Sequence, residues 1–412
     1  MKVLLIAHKN PFPPNDGGSM YIYSMINGLL LNDVQLDVLL MNPKKLYKPL
    51  DKSRVPSQIN NIQAIDINTD IQVFQAMVNL FQKESYFVSR FYNKKFERVL
   101  QEYLNKNSYD IIQLESLYSA LYIPQIRRYS AAKIILSAHN IEYQIWQRVA
   151  AHESNFLKKW YLQVQTKRLK EFEDHILQSV DGVTSISDIV KQYIESVSPN
   201  TPVVVTPNGL DIHQFHLTSW EEQDLYTIFF LGSLDWIPNQ QGLVWFLDKV
   251  WPFIIKKNPQ IHLIIAGKNI PEWLMNRREK NVEYRSNIPD TKELYHRYAI
   301  TIVPLLAGSG IRVRIIEGMA YGKCIVSTRI GAEGLLCEHQ KDIMIADTAE
   351  DFAETILQLV QNPSFVKQIQ TEARKTAEKY YDRKKVYLPL MNLYDQLKEE
   401  SARSKAYHTN NH

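Results

Sequence analysis

The sequence predicts an α/β chain built from two consecutive doubly wound parallel sheets. Three observations carry this. Short β-branched runs alternate with amphipathic stretches from end to end, the pattern that parallel strands joined by helical crossovers require. Several runs, such as Ile134-Ile135-Leu136 and Val203-Val204-Val205, are apolar at successive positions, as strands covered on both faces are. The alternation breaks once, at a polar and acidic stretch over 218–224, and then restarts. A length of 412 residues suits two or three domains of about 150 residues each.

In chain order, strands are expected at 2–7, 34–40, 109–114, 133–138, 182–185 and 202–206, with helices at 18–31 and 93–104 between them. After a linker near 214–224, strands are expected at 227–231, 262–266, 281–285, 300–303 and 323–327. Helical patterns intervene at 240–257, 291–297, 311–321 and 349–360, followed by 363–379 and 383–400. This reading gives a first domain over 1–214, a second over 225–382, and a terminal helix over 383–400 that crosses back onto the first. Two such sheets facing each other imply a cleft, and ligands of open parallel sheets bind beyond the carboxyl ends of the strands.

Composition narrows the classes. Lys plus Arg is 48 and Asp plus Glu is 44, a net charge of +4, too mild for a dedicated nucleic-acid binder. Cys324 and Cys337 are the only cysteines, so a disulfide framework is excluded and a cytoplasmic location is expected. No apolar run approaches the roughly 18 residues of a membrane-spanning helix. The apolar start ends at His8-Lys9 and reads as a strand, not a signal peptide.

Five strand-end loops can carry chemistry. The first, His8 to Ser19, contains Gly17 and Gly18 where a strand turns into a helix. Paired glycines there open backbone N–H groups to an anion, and equally suit a tight turn capped by Asp16 or Ser19. The second places His139 and Asn140 at a strand end, and Glu115 ends its own strand in the same way. Glu115 also suits a cap for a helix over 116–127. The third, Thr206-Pro-Asn-Gly209, lies at the domain junction as cleft floor or hinge. The fourth runs from Pro304 through Gly308, Ser309, Gly310, Ile311, Arg312 and Arg314 to Glu317. Small residues before a helix form a phosphate cradle, while two arginines in a first turn cost up to about 1 kcal/mol each unless an anion sits there. An Arg314–Glu317 surface pair, worth about 0.2–0.5 kcal/mol, is the ordinary alternative. Glu317 is placed to accept hydrogen bonds from vicinal hydroxyls such as those of a ribose. The fifth, Gly232 to Asn239, takes the corresponding position in the second half and includes Ser233 and Asn239.

Asp-x-Asp, His-Glu-x-x-His, the P-loop and the Gly-x-Ser-x-Gly elbow are all missing from the sequence, so it offers neither a dedicated metal site nor a serine nucleophile. Together, Pro-Pro-Asn-Asp-Gly18, His139-Asn140, Ser185-Ile-Ser187, Pro207-Asn-Gly-Leu-Asp211, Gly232 to Asn239 and Gly308 to Gly322 resemble the retaining GT-B glycosyltransferases of family 4, over nearly the whole chain. The resemblance implies two Rossmann-like domains, a nucleotide-sugar donor held by the second and an acceptor held by the first. It assigns Glu317 to the ribose, the backbone of Gly308, Ser309, Gly310 and Ile311 to the diphosphate, His139 to the neighbourhood of the transferring sugar, and Arg285 to Ile288 to the nucleobase side. Of the family's Glu-x7-Glu pair only Glu317 is kept, Ser309 standing at the first position. A common Arg and Lys are replaced by Ser233 and Asn239, which leaves Arg312 and Arg314 to supply positive charge.

The implied chemistry needs neither cofactor nor metal. Cations and N–H donors stabilise a nucleoside diphosphate as it leaves an oxocarbenium-like sugar. Retention is expected by front-face transfer, with the leaving phosphate taking the acceptor proton and Glu115 the rival nucleophile or base. The acceptor is expected to be a glycan or a lipid-linked sugar in cell-surface polysaccharide synthesis. An aromatic and basic stretch over 81–98 and the lysines near 158–170 suit peripheral contact with anionic membrane at its inner face, or a plain core with solvated charges. A nucleotide-sugar 2-epimerase and a non-catalytic two-domain sugar-binding protein are the alternatives.

Overall fold

The computed structural model describes residues 1–14, 16–307 and 311–409. The chain divides into two compact units, 1–209 together with 386–412, and 210–385. In the first, seven parallel strands, β1 (Lys2–Ala7), β2 (Gln35–Pro43), β3 (Asn61–Ile67), β4 (Ile111–Glu115), β5 (Lys133–Ala138), β6 (Gly182–Ser185) and β7 (Val203–Val205), are ordered β3-β2-β1-β4-β5-β6-β7. β1 and β5 are largely apolar runs, and with β4, which sets Gln113 and Glu115 among apolar residues, they fill the buried centre. β3 is an additional strand. Its sequence Asn-Ile-Gln-Ala-Ile-Asp-Ile alternates, as a half-exposed edge strand does.

In the second unit, β8 (Asp224–Ser233), β9 (His262–Lys268), β10 (Val282–Ser286), β11 (Tyr298–Val303), β12 (Cys324–Ser327) and β13 (Met344–Ile345) form a parallel sheet ordered β10-β9-β8-β11-β12-β13. Both sheets therefore reverse direction beside their first strand, between β1 and β4 and between β8 and β11. Side chains at the carboxyl ends of those four strands face the crevice that such a switch opens.

Two expectations need correction, and one choice between two readings is decided. Residues 210–217 belong to the second unit, because Ile212 and Phe215 pack with the helix Val313–Ala320 and Arg374 donates to the Phe215 carbonyl at 2.7 Å. The helix expected over 240–257 is instead Ile237–Trp245, a π-helical turn Phe246–Val250, and Trp251–Lys257; Pro252 has no N–H to give the ladder. The aromatic stretch 81–98 is largely core: Tyr86, Phe87, Phe91 and Phe96 are buried, and of the six aromatics only Phe81 and Tyr92 are exposed.

The chain ends in a short turn, Arg383–Val386, and a long helix, Leu388–Thr409. Tyr387, Leu390, Leu393, Tyr394 and Leu397 fill one core with β1, β2 and the helix Gly17–Leu30. A methyl built on Gly28 would lie 2.0 Å from a ring carbon of Tyr387, so the bare glycine lets the segment dock. Among the described residues no helix is long and apolar enough to cross a membrane.

Candidate active site

At the switch of the first sheet, His8 follows β1 and Glu115 ends β4. His8 Nδ1 lies 2.9 Å from the Glu115 carbonyl oxygen. A carbonyl only accepts, so Nδ1 carries the proton and Nε2 keeps its lone pair. Burial, then the charge of Lys9, lowers the His8 pKa to about 3, and the ring is neutral. The Glu115 carboxylate is fully buried. It accepts from Ser137 Oγ at 2.7 Å and Gln113 Nε2 at 3.2 Å, and its other oxygen lies 3.1 Å from His139 Nε2. Thr184 donates to Ser137 at 3.0 Å, and the Tyr394 hydroxyl donates to Gln113 at 2.6 Å. Tyr21 stands over His139 with ring centroids 4.4 Å apart and its hydroxyl 2.8 Å from Thr206. His139 thus sits at the tip of a buried polar chain that reaches the C-terminal helix.

Glu115 caps no helix. Ser116 takes φ 112°, and the next α-helix, Ile123–Tyr129, follows a 3₁₀ turn. Around His139 the helix starts are filled by the chain's own carboxylates. Asp16 caps Gly17–Leu30, accepting from Ser19 N at 3.0 Å, while the Asp16 N–H donates to Ser19 Oγ, a capping box. Burial pushes the Asp16 carboxyl up, but the Lys9 ammonium and the Ser19 N–H outweigh it and bring it to about 2. A methyl on Gly18 would meet Lys9 Nζ at 2.7 Å, whereas nothing lies within 4 Å of one on Gly17. Buried Glu173 accepts from the Glu142 and Tyr143 N–H groups at 2.9 and 3.2 Å, closing the start of the helix Glu142–His152.

The second switch is different. The helix after β11 begins at Val313, so Arg312 is its N-cap residue and Arg314 its second residue, rather than both lying in the first turn. Among the described residues no side chain caps this helix and its first turn holds no acid. Arg312 lies with its guanidinium carbon 5.6 Å from the Trp236 ring centroid. Arg314 does not form the surface pair: its Nη1 donates to the Leu231 carbonyl of β8, and a methyl on Gly232 would stand 2.7 Å from that nitrogen. Half-buried Glu317 follows one turn on, its carboxyl pushed up to about 7 by burial against the pull of Arg314. Gly308, Ser309 and Gly310 lie outside the described residues; Ile311 packs against the apolar cluster beneath the helix.

Four predicted residues of this unit are engaged with the chain around them. Asn239 Nδ2 donates to the Ser233 carbonyl at 2.7 Å, and Ser233 Oγ donates to Asp235. Arg285 forms a two-pronged pair with Glu283 at 2.7 and 3.2 Å, while Ile288 packs on the cluster around Tyr295 and Tyr321. The sequence reading did not single out His8, Tyr21, Gln113, Tyr394 or Trp236. The strand-end rule that found His139 also applies to His8; the others carry no local signal.

Comparison with known proteins decides the family. Residues 15–214 match the model described as Glycosyltransferase Family 4, and residues 226–362 match Glycosyl transferases group 1. The chain belongs to the family 4 glycosyltransferases. A Klebsiella pneumoniae protein described as an uncharacterized 44.6 kDa protein in cps region is 27% identical over 400 residues, 94% of this glycosyltransferase and 98% of its relative. Sucrose-phosphate synthase from Thermosynechococcus elongatus is similar in structure, with a TM-score of 0.69 at 16% identity over 96% of this chain and 99% of that one. Anabaena HepE in complex with UDP gives 0.63 at 14% identity over 98% and 100%. These likenesses carry the fold, which is GT-B: the two parallel Rossmann-like sheets are those of this glycosyltransferase.

Proposed function

We propose that this glycosyltransferase moves a sugar, with retention, from a nucleoside-diphosphate sugar to a glycan or lipid-linked acceptor in cell-surface polysaccharide synthesis at the inner face of the cell membrane. One observation carries the reading. Among the described residues, the helix Val313–Ala320 starts at a sheet switch point with no side-chain cap and with two arginines, whereas the helices near His139 are closed by Asp16 and Glu173. An open helix start flanked by guanidinium groups favours a diphosphate, through the macrodipole and charge-assisted hydrogen bonds. The description of the Klebsiella relative and the UDP and UDP-glucose complexes of HepE support polysaccharide synthesis and a nucleotide-sugar donor.

In this mechanism Arg312 and Arg314 neutralise the departing diphosphate and Glu317 accepts hydrogen bonds from the ribose, with no metal required. The acceptor oxygen bonds to the anomeric carbon on the face that the phosphate oxygen leaves, and the acceptor proton passes to that phosphate oxygen. His139 orients the transferring sugar. Glu115, behind His139, acts through it rather than on the sugar. Arg285 to Ile288 border the nucleobase.

Titration calorimetry with UDP and turnover of a nucleotide-sugar panel test this. Arg312→Ala is expected to weaken UDP binding by about tenfold to a hundredfold, and Glu317→Ala to weaken it as well. Slow donor hydrolysis supports transfer. An isomerised sugar would favour an epimerase, binding without turnover a sugar receptor, and unchanged UDP affinity would falsify the site.

A further inference from the structure

The helix Val73–Asn79 is built inside out. Val73, Phe74, Met77 and Val78 face solvent, while small Ala76 and polar Asn79 are buried. Ile71 and Phe81 extend the exposed apolar row, Phe81 being 94% and Phe74 78% exposed. An amphipathic helix of a self-contained domain turns its apolar stripe inward; here the stripe has nothing of this unit to cover it.

The inversion is held in place. The Gln72 N–H donates to the Tyr86 hydroxyl at 3.1 Å, and the Tyr86 N–H donates to Gln165 Oε1 at 2.7 Å. Gln165 Nε2 donates to Asn79 Oδ1 at 2.9 Å, and Arg168 donates to the Asn79 and Leu80 carbonyls at 2.9 and 2.8 Å. Both ends of the short helix are therefore tied to the long helix Phe156–Ser179. That helix begins with a second exposed group, Phe156, Leu157 and Trp160, within about three turns of Gln165.

Charge decides what covers these residues. Over 153–171 the chain carries Lys158, Lys159, Lys167, Arg168 and Lys170 against Glu153 and Glu171, and exposed Lys83 lies between exposed Asp70 and Glu84 in the segment 70–84, so the two segments together carry a net charge of +2. Lys158 pairs with Glu153, Lys170 with Asp174, and Arg168 is spent on carbonyls, while Lys83 and Lys167 are exposed. A two-fold pairing with a second copy would set these cations against one another. Large apolar side chains beside lysines match an anionic bilayer surface, where rings enter the acyl boundary and ammonium groups meet headgroup phosphates.

We infer that the Ile71–Phe81 segment and the start of the Phe156–Ser179 helix form a docking surface for anionic lipid. This deepens the transferase reading, since a lipid-linked acceptor would be met at such a surface, but its test is independent of turnover. The full chain is floated with phosphatidylcholine vesicles with and without phosphatidylglycerol. Wild type is expected to float with the anionic vesicles and to be released by salt. Phe74→Glu/Phe81→Glu is expected to lower binding at least about tenfold, Phe156→Glu/Trp160→Glu to do the same, and Trp273→Glu, an exposed tryptophan of the other unit, to change nothing. Wild-type melting temperatures in the variants exclude misfolding as the cause. Failure of wild type to float, flotation of both double variants like wild type, or a wild-type dimer that these substitutions split would each overturn the inference. Hydrolysis of UDP-glucose is read separately: a protein that floats but turns over no nucleotide sugar keeps the docking surface and loses the transferase reading.

Discussion

The Glu115 carboxylate stands 3.1 Å from His139 Nε2 and is held there by Ser137 and Gln113, out of reach of solvent. A group so placed positions its neighbour. Glu115→Gln keeps the volume and loses the charge, so kcat is expected to fall at least about tenfold with little change in the donor KM and a displaced pH profile. Unchanged kcat and pH profile would remove the positioning role.

Glu317 makes stability depend on pH. Its folded value is about 7 and its ordinary value 4.5. Between these the folded chain holds a proton that the unfolded chain has released, so stability falls as pH rises through that window. Glu317→Gln is expected to raise Tm near pH 8 and to change it little near pH 5. Calorimetric scans of both proteins at the two pH values check this, and an equal shift at both would refute it.

Lys323 acts with the opposite sign. Its side chain is fully buried, donates to Gln223 Oε1 at 2.7 Å, and is lowered by burial from 10.5 to about 7. Between those values the unfolded chain binds a proton that the folded chain lacks, so stability gains with rising pH. Lys323→Met is expected to abolish that gain, read by urea unfolding at about pH 7 and pH 9.

Gly28→Ala places a methyl 2.0 Å from Tyr387. The C-terminal segment must shift to admit it, at a cost of about 1–3 kcal/mol. Faster hydrogen exchange over 386–397 than in the wild type is the expected signature; unchanged exchange there would show that the helix Gly17–Leu30 had moved instead.

Both parallel sheets were legible because their central strands are predominantly apolar, and β3 was not, because an alternating edge strand looks like any amphipathic coil. The strand-end rule located His139, Glu115 and the basic helix start after β11. It could not reveal what stands behind them: Gln113 and Tyr394 are 281 residues apart along the chain, and no local pattern joins them. The aromatics from Tyr86 to Phe96 stayed open between core and surface for a related reason. Composition cannot tell a ring that fills a core from one that leaves it, whereas the exposed residues lie just before them, in a helix that turns Ala76 and Asn79 inward and its large apolar side chains out.

The return of residues 386–397 into the core of β1 and β2 also bears on how the molecule is made. Domains commonly fold as they emerge from the ribosome, the earliest first. Here the earlier unit waits for residues that follow the later one, and stays open while the whole of 210–385 is synthesised. A premature stop shortly after Lys385 would spare the unit it adjoins and cripple the one that precedes it.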